Sequence, residues 1–353
     1  MTTLRLLADD LTGALDSAAR FVPLVGTVPT FWTAPSDLPA TASVDGGTRE
    51  IAPEALAAAM GVLAPLLDSA DIAFKKIDSL LRGHVVAELG ALADRFDHCI
   101  LAPAFPFQGR ITRGGRQLAR AEMGWHDVGV DLPLGLPLGL PLGLPLGLPA
   151  GLAAWGDRLT ICDAETDADL DAIVAQGRTL PGRVLWCGTG GLAGALAGHR
   201  PVPRPDLPRP LLALIGSDHA VTAGQLATVP DRHHVLPHAE STALMRALSR
   251  GAAVASVAVA PQTLGAVALG SITAAFIDLL QTIERPGTLL VSGGETLRAL
   301  CLGLAADRLD VDGEIEPGVP TSILRGGAFD GQRIVSKSGA FGDADFLARM
   351  LAS

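Results

Sequence analysis

Asp9 and Asp10 stand side by side, after the apolar Leu4, Leu6, Leu7 and Ala8 and before Leu11-Thr12-Gly13. Two adjacent carboxylates at the end of a buried strand could hold sugar hydroxyls, coordinate Mg²⁺ or take a proton. In open α/β sheets, ligands bind outside the carboxyl ends of strands, where this pair would lie. A plainer role is equally open: Asp10 or Thr12 caps the helix that follows. Further charged groups occur at Asp16, Arg49, Lys75, Lys76, Asp78, Arg82 and Arg110. Lys and Arg hold carboxylates, so acids and bases gathered at one sheet edge suit a small polyhydroxy acid. Lys75 and Lys76 alternate along a strand, so at most one faces such a site; Lys76 shares the parity of Asp78 and is preferred. Asp78 and Arg82, four apart, could instead pair on a helix surface. His84, His219 and His233-His234 lack ligand-like partners and read as surface or packing histidines.

The second half holds a different chemistry. Three turns rich in Gly, Ser and Thr follow apolar runs, at 216–222, 292–296 and 337–342. Such turns let backbone N–H groups and a helix N-terminus approach a phosphate. Lys337, beside Ser338-Gly339, would add a mobile positive charge. Neither GxxxxGK[ST] nor a GxGxxG after the first strand is present, which excludes a P-loop and a Rossmann fingerprint. Each turn alone could equally be a close-packed turn with a helix cap; three together point to a nucleotide.

The elements that would position these groups alternate. Apolar strands at Leu4–Ala8, Gly26–Trp32, Ile72–Ile77, Cys99–Pro103, Leu159–Cys162 and Val184–Cys187 are interleaved with Ala/Leu-rich helices. A small strand lies within Thr41–Arg49. The pattern restarts with Leu211–Ile215, Ala253–Ala260, Thr288–Val291 and Arg333–Lys337, and a helix closes the chain. Glu314–Pro320 reads as a rigid loop. The fold class is therefore α/β: two domains, each a mainly parallel sheet flanked by helices, with a cleft between them. His199–Pro210 is a stiff, Pro-rich linker, separating domains at 1–198 and 211–353. Leu132–Pro149 is a four-residue Leu-Pro-Gly repeat, a surface-loop expansion.

Composition narrows the function classes. At 353 residues, two domains are the prior. The net charge is −10 and no basic run or basic–aromatic stripe occurs, which argues against a nucleic-acid partner. The four cysteines are scattered without CxxC, against a disulfide framework or structural zinc. The N-terminus lacks the pattern of a signal peptide, and a cytoplasmic location is expected. Gly251 to Ile277 is uncharged, but Pro261, Gly265 and Gly270 break it, so it reads as a buried strand, a turn at Pro261-Gln262 and a buried helix rather than a membrane span.

ADDLTGALD, KKIDSLLRGH, PAFPFQGRIT, SGGET, EIEPGVP and KSGAFGD, in this order, resemble the four-carbon acid sugar kinase family over nearly the whole chain apart from the repeat. The resemblance implies an N-terminal sugar-acid domain and a C-terminal nucleotide domain, with ATP and Mg²⁺ as cofactors and D-threonate, D-erythronate or 3-oxo-tetronate as acceptor. By it, Asp9, Asp10, Asp78 and Arg82 are expected to be catalytic. Asp16, Arg49, Lys76, Ser79, Gly83 and Arg110 are expected to bind the acid. Ser217, Gly293, Gly294, Glu295, Thr296, Lys337 and Gly339 are expected to bind the nucleotide. The oligomeric state is left open, a homodimer included. Four features depart from the family pattern: Leu80 replaces the Thr usual after Asp-Ser, His84 replaces Asn, His219 replaces the second Ser of a GSxS turn, and the repeat is the fourth. The repeat replaces an Asp-Pro-rich segment. The alternative from another class is a non-catalytic protein of kinase-like fold that senses a sugar acid or nucleotide.

Overall fold

A computed structural model of the chain describes residues 2–121, 123–128, 152, 154–236, 241–259 and 265–352. The Leu-Pro-Gly repeat and the Pro261-Gln262 turn lie outside the described residues. The chain forms two compact units, Met1–Val202 and Pro203–Ser353.

The first unit opens with β1 (Leu4–Ala8) and α1 (Leu11–Val25), then β2 (Val28–Phe31) and β3 (Ala42–Asp45). After α2 (Pro53–Leu63) come β4 (Ile72–Lys76), α3 (Val85–Leu92) and β5 (His98–Ala102). A short meander follows, β6 (Arg110–Arg113), β7 (Arg116–Ala121) and β8 (Gly124–Asp127). The unit ends with β9 (Leu159–Ile161), α4 (Asp167–Gly177), β10 (Val184–Gly188) and α5 (Gly190–Leu196). Its main sheet has the order β2-β3-β1-β4-β10-β5-β9, every pair parallel. Parallel sheets are covered on both faces, which is why the strands read as unbroken apolar runs. One covered face packs Leu7, Val44, Ala73, Ile77, Leu101 and Cys187 against Leu56, Met60, Leu89 and Leu92 of α2 and α3. The antiparallel meander was not anticipated from sequence. Its signal was Arg113-Gly114-Gly115-Arg116, a two-residue Gly-Gly hairpin between β6 and β7.

In the second unit, β11 (Leu211–Ile215), α6 (Ala220–Ala227), β12 (His233–Leu236), α7 (Ser241–Ser249) and β13 (Ala252–Val257) lead into α8 (Gly265–Thr282). Then follow β14 (Thr288–Ser292), α9 (Gly294–Gly303), β15 (Arg308–Glu316), β16 (Val319–Arg325), β17 (Arg333–Lys337) and α10 (Phe346–Ala352). The sheet order is β12-β13-β11-β14-β17-β16-β15. The pairs from β12 to β17 are parallel, and β16 pairs antiparallel with both β17 and β15. Glu314–Pro320 is thus the tip of a β-hairpin and not a rigid loop. Its turn falls at Pro317-Gly318, where Gly318 has φ +83°. Pro203 to Pro210 packs on this unit: Pro203 O accepts from Glu314 N, and Pro208 O accepts from Thr288 Oγ1 at 2.8 Å. Among the described residues no helix is long and apolar enough to cross a membrane.

Candidate functional site

Register gathers the charged groups of the first unit. Ala8 is level with Asp45 on one side and Lys76 on the other, and Lys76 is level with Gly188. The residues after β1, β3, β4 and β10 therefore emerge together at one sheet edge. Arg49 N donates to Asp9 O and Gly46 N to Ala8 O, which ties the loop after β3 to the acidic pair.

Arg49 is the centre of the cluster. Its Nε and Nη2 donate to the two oxygens of Asp9 at 2.8 and 3.0 Å. Its Nη1 and Nη2 donate to those of Asp10 at 2.7 and 2.8 Å, and Asp78 Oδ1 lies 3.7 Å from Nη2. Only the planar guanidinium fork can serve two carboxylates this way. Asp9 is buried. Burial alone would raise its pKa, but Arg49, Lys75 and Lys76 together hold it below the usual carboxylate range. The Asp9 and Asp10 charges push the Arg49 pKa up against its own burial.

Asp10 is a helix cap and an ion-pair partner at once. Its Oδ1 accepts from Gly13 N at 2.9 Å as the N-cap of α1, and its Oδ2 accepts from Thr12 Oγ1 at 2.5 Å, while the same oxygens take Arg49. The two roles are separable. Asp10→Ser keeps a capping oxygen, so its melting temperature is expected within a few degrees of wild type while turnover falls at least tenfold. Asp10→Ala is expected to lose turnover and, lacking the cap as well, to be about 1 kcal/mol less stable than Asp10→Ser. Equal turnover in wild type and Asp10→Ser would return Asp10 to the plain cap.

Around this core, Asp78 accepts from Arg82 Nε at 2.7 Å and Nη2 at 2.9 Å. Although burial opposes it, Arg82 and Arg49 keep the Asp78 carboxyl far below its ordinary range. The Asp78–Arg82 pair is real, but the acid is buried at the sheet edge, while the Arg82 side chain is 61% exposed and open to a ligand. Lys76 points to the α1 side, donating to Ile77 O at 2.9 Å. A Cβ on Gly13 would come within 2.7 Å of its Nζ, so Gly13 makes room for the amine. Asp16 is buried, and its Oδ1 has no hydrogen-bond partner among the described residues. Burial raises its pKa, against the opposing charges of Lys76 and Arg20. Gly83, at φ +86°, backs onto Arg49. Ser79 contributes a carbonyl, held by Gln117 Nε2 at 2.9 Å. Arg110 donates to Gln108 O and Gly109 O; burial lowers its pKa against the pull of Asp78.

Sequence reasoning missed the role of Lys75. It lies on the opposite face, fully buried, with Nζ 3.1 Å from Glu88 Oε2. Nothing local marks Glu88, which comes from the next helix, as its partner. A compositional signal was available: the chain has three lysines against twenty-four arginines. All three, Lys75, Lys76 and Lys337, are buried.

In the second unit, register again sets the edge: Ile215 is level with Ser292, and Ser292 with Lys337. The three glycine turns therefore lie side by side. Gly293 has φ +112°, donates to Lys337 O, and caps α9 without a side-chain hydrogen bond. The first-turn N–H groups of α9, from Gly294, exposed Glu295 and buried Thr296 onward, have no partner within the helix, an arrangement suited to an anion. Ser217 Oγ accepts from His219 N at 3.3 Å and sits against Gly339. His219 Nδ1 accepts from Val221 N at 3.2 Å and caps α6, the service a serine would give. His84 precedes α3, and its Nε2 meets Ile51 O at 2.8 Å, also a structural role. The mobile charge expected of Lys337 is fixed instead. Its Nζ donates to Ser338 O at 3.1 Å and Phe341 O at 3.0 Å, with Thr222 Oγ1 at 3.4 Å. Burial brings its pKa down to about 8, against the pull of Glu316. It ties the 338–341 turn together.

Comparison with known proteins agrees with this division. Residues 4–130 match a sugar-binding N-terminal domain and residues 212–347 a nucleotide-binding C-terminal domain. The chain is 31% identical to a D-threonate kinase of Cupriavidus necator, covering 96% of this chain and 94% of that protein. It is 27% identical to a D-erythronate kinase of Heliobacterium modesticaldum, over 98% and 95%. A solved Salmonella typhimurium protein, 19% identical, shares the fold with a TM-score of 0.68 over 99% of both chains. The chain belongs to the four-carbon acid sugar kinase family.

Proposed function

We propose that the protein transfers the γ-phosphoryl group of ATP to the terminal hydroxyl of a four-carbon sugar acid: threonate, erythronate or 3-oxo-tetronate. The observation that carries the reading is register: an acidic pair and the cations Arg49, Lys76 and Arg82 share one sheet edge within the region matching a sugar-binding domain. The glycine turns within the nucleotide-binding match, and the kinase relatives, support ATP as donor.

In this reading Arg82 and Lys76 hold the acid's carboxylate or the transferring phosphoryl, with Arg110 and Ser79 at its margin. Asp9 and Asp78, held ionised by their cations, accept hydrogen bonds from substrate hydroxyls and orient them. One carboxylate at the edge, Asp9, Asp10 or Asp78, orients or deprotonates the attacking hydroxyl. Ser217, Gly293, Gly294, Thr296 and Gly339 cradle the phosphates, with Glu295 at the rim and Lys337 fixing the turn. Mg²⁺ would come with the nucleotide phosphates and neutralise charge on the transferring group; both Asp10 oxygens are already taken by Arg49, Thr12 and Gly13 and do not fit as its ligands.

A coupled ADP-release assay over D- and L-threonate, D- and L-erythronate and their 3-oxo counterparts tests this. Turnover with at least one is expected. Demonstrable ATP binding without turnover on any of them would make the protein a binding protein instead.

A further inference from the structure

Beneath the charged edge lies a second polar group that the reaction above does not use. Lys75 Nζ is 3.1 Å from Glu88 Oε2, and Glu88 Oε1 accepts the hydroxyl of Thr48. Lys75 also donates to Lys76 O at 3.2 Å. All three side chains are at most 1% exposed. They sit in the apolar layer formed by Leu7, Ile77, Val85, Leu89 and Cys187. A desolvated ion pair there is poor value for stability, since a well-packed apolar pair often serves as well. What it does supply is direction. Lys75 precedes Lys76 on β4, Thr48 precedes Arg49 in the loop after β3, and Glu88 joins them from α3. Burial works against the Lys75 charge, yet Glu88 and Asp9 keep it protonated.

We infer that Thr48, Glu88 and Lys75 are positioning residues that set Arg49 between Asp9 and Asp10. Without the Thr48 anchor, the loop keeps only the His84–Ile51 link to the start of α3, beyond Arg49, and the guanidinium loses its fixed orientation.

The test compares Thr48→Val, which removes the hydroxyl at nearly constant volume, with Thr48→Ser, which retains it. The first readout needs no substrate: hydrogen exchange of the Arg49 Nε–H, followed by ¹⁵N NMR. Thr48→Val is expected to speed this exchange at least tenfold, and Thr48→Ser to restore the wild-type rate. The second readout rests on the kinase reading. Thr48→Val should raise KM for the sugar acid about tenfold or more and leave KM for ATP within twofold of wild type. The paired variant Lys75→Met/Glu88→Met, which replaces the ion pair by apolar groups, should fold and show the same loss of Arg49 protection. Wild-type exchange rates in either Thr48→Val or the paired variant would overturn the inference, as would equal impairment of Thr48→Val and Thr48→Ser. Absence of turnover in the wild type would count against the kinase reading alone, because the exchange measurement still decides this one.

Discussion

Arg49→Met is expected to abolish useful turnover, lowering kcat/KM by about a thousandfold or more, and to blunt the loss of stability in acid. Arg49 makes four hydrogen bonds to Asp9 and Asp10. Removing Arg49 takes these bonds from both carboxylates, so neither keeps its orientation; about 4 kcal/mol of lost transition-state positioning is a factor near 10³. The pH effect follows from Asp9. In the wild type its folded pKa lies below the unfolded value of about 4. Its contribution to stability is therefore present above about pH 4 and lost as the pH falls further. Without Arg49, Lys75 and Lys76 still oppose the burial of Asp9, so its folded pKa moves up toward the unfolded one, and the stability lost below about pH 4 shrinks. Melting temperatures should accordingly fall less steeply in the variant than in wild type as the pH drops below about 4. A variant curve parallel to wild type, or kcat/KM within tenfold, would defeat the account. Arg49→Lys is expected to rescue little, because one ammonium cannot match two carboxylate planes.

Gly339→Ala is expected to raise KM for ATP about a hundredfold and leave sugar-acid affinity unchanged. A Cβ at this position would fall 2.0 Å from Ser217 Oγ and 2.9 Å from His219 Cβ. No rotamer of Ser217 removes both conflicts, since His219 is held as the cap of α6. The turns after β11 and β17 must therefore move apart, and both belong to the proposed phosphate cradle. Gly270→Ala is the control: it lies in α8, and its Cβ would meet no atom within 4 Å. It should leave KM for ATP unchanged and add about 0.5–1 kcal/mol of stability. Calorimetric titration with ADP reads both. Equal ADP affinity in Gly339→Ala and wild type would remove Gly339 from the cradle.

Much of this site was legible because parallel sheets write themselves plainly. The runs at Leu211–Ile215 and Arg333–Lys337 gave those strands at the observed bounds, and every charged group at a strand's carboxyl end was a candidate. Three things were not legible. The β15–β16 hairpin was hidden by Pro317 and Pro320, whose missing donors suggested a loop, although a Pro can sit in a hairpin turn or at a position not donating to the ladder. The β6–β8 meander was hidden by its polar sequence, which resembles a loop wherever one face is open. The role of Lys75 is the third. Alternation separated it from Lys76 but says nothing of what the other face meets. In a sheet covered on both faces it is buried regardless, and its partner Glu88 is supplied by tertiary packing that no local pattern announces.

The burial of all three lysines has a practical corollary in covalent labelling. An acylating reagent selective for amines finds no exposed lysine on the folded protein, although most lysines in ordinary proteins are exposed. Lys75 and Lys76 sit in one unit and Lys337 in the other. Modification at each, followed by mass spectrometry of peptides, would therefore record the opening of each half separately. A ligand that orders one half would be seen as slowed acylation at that half's lysines alone.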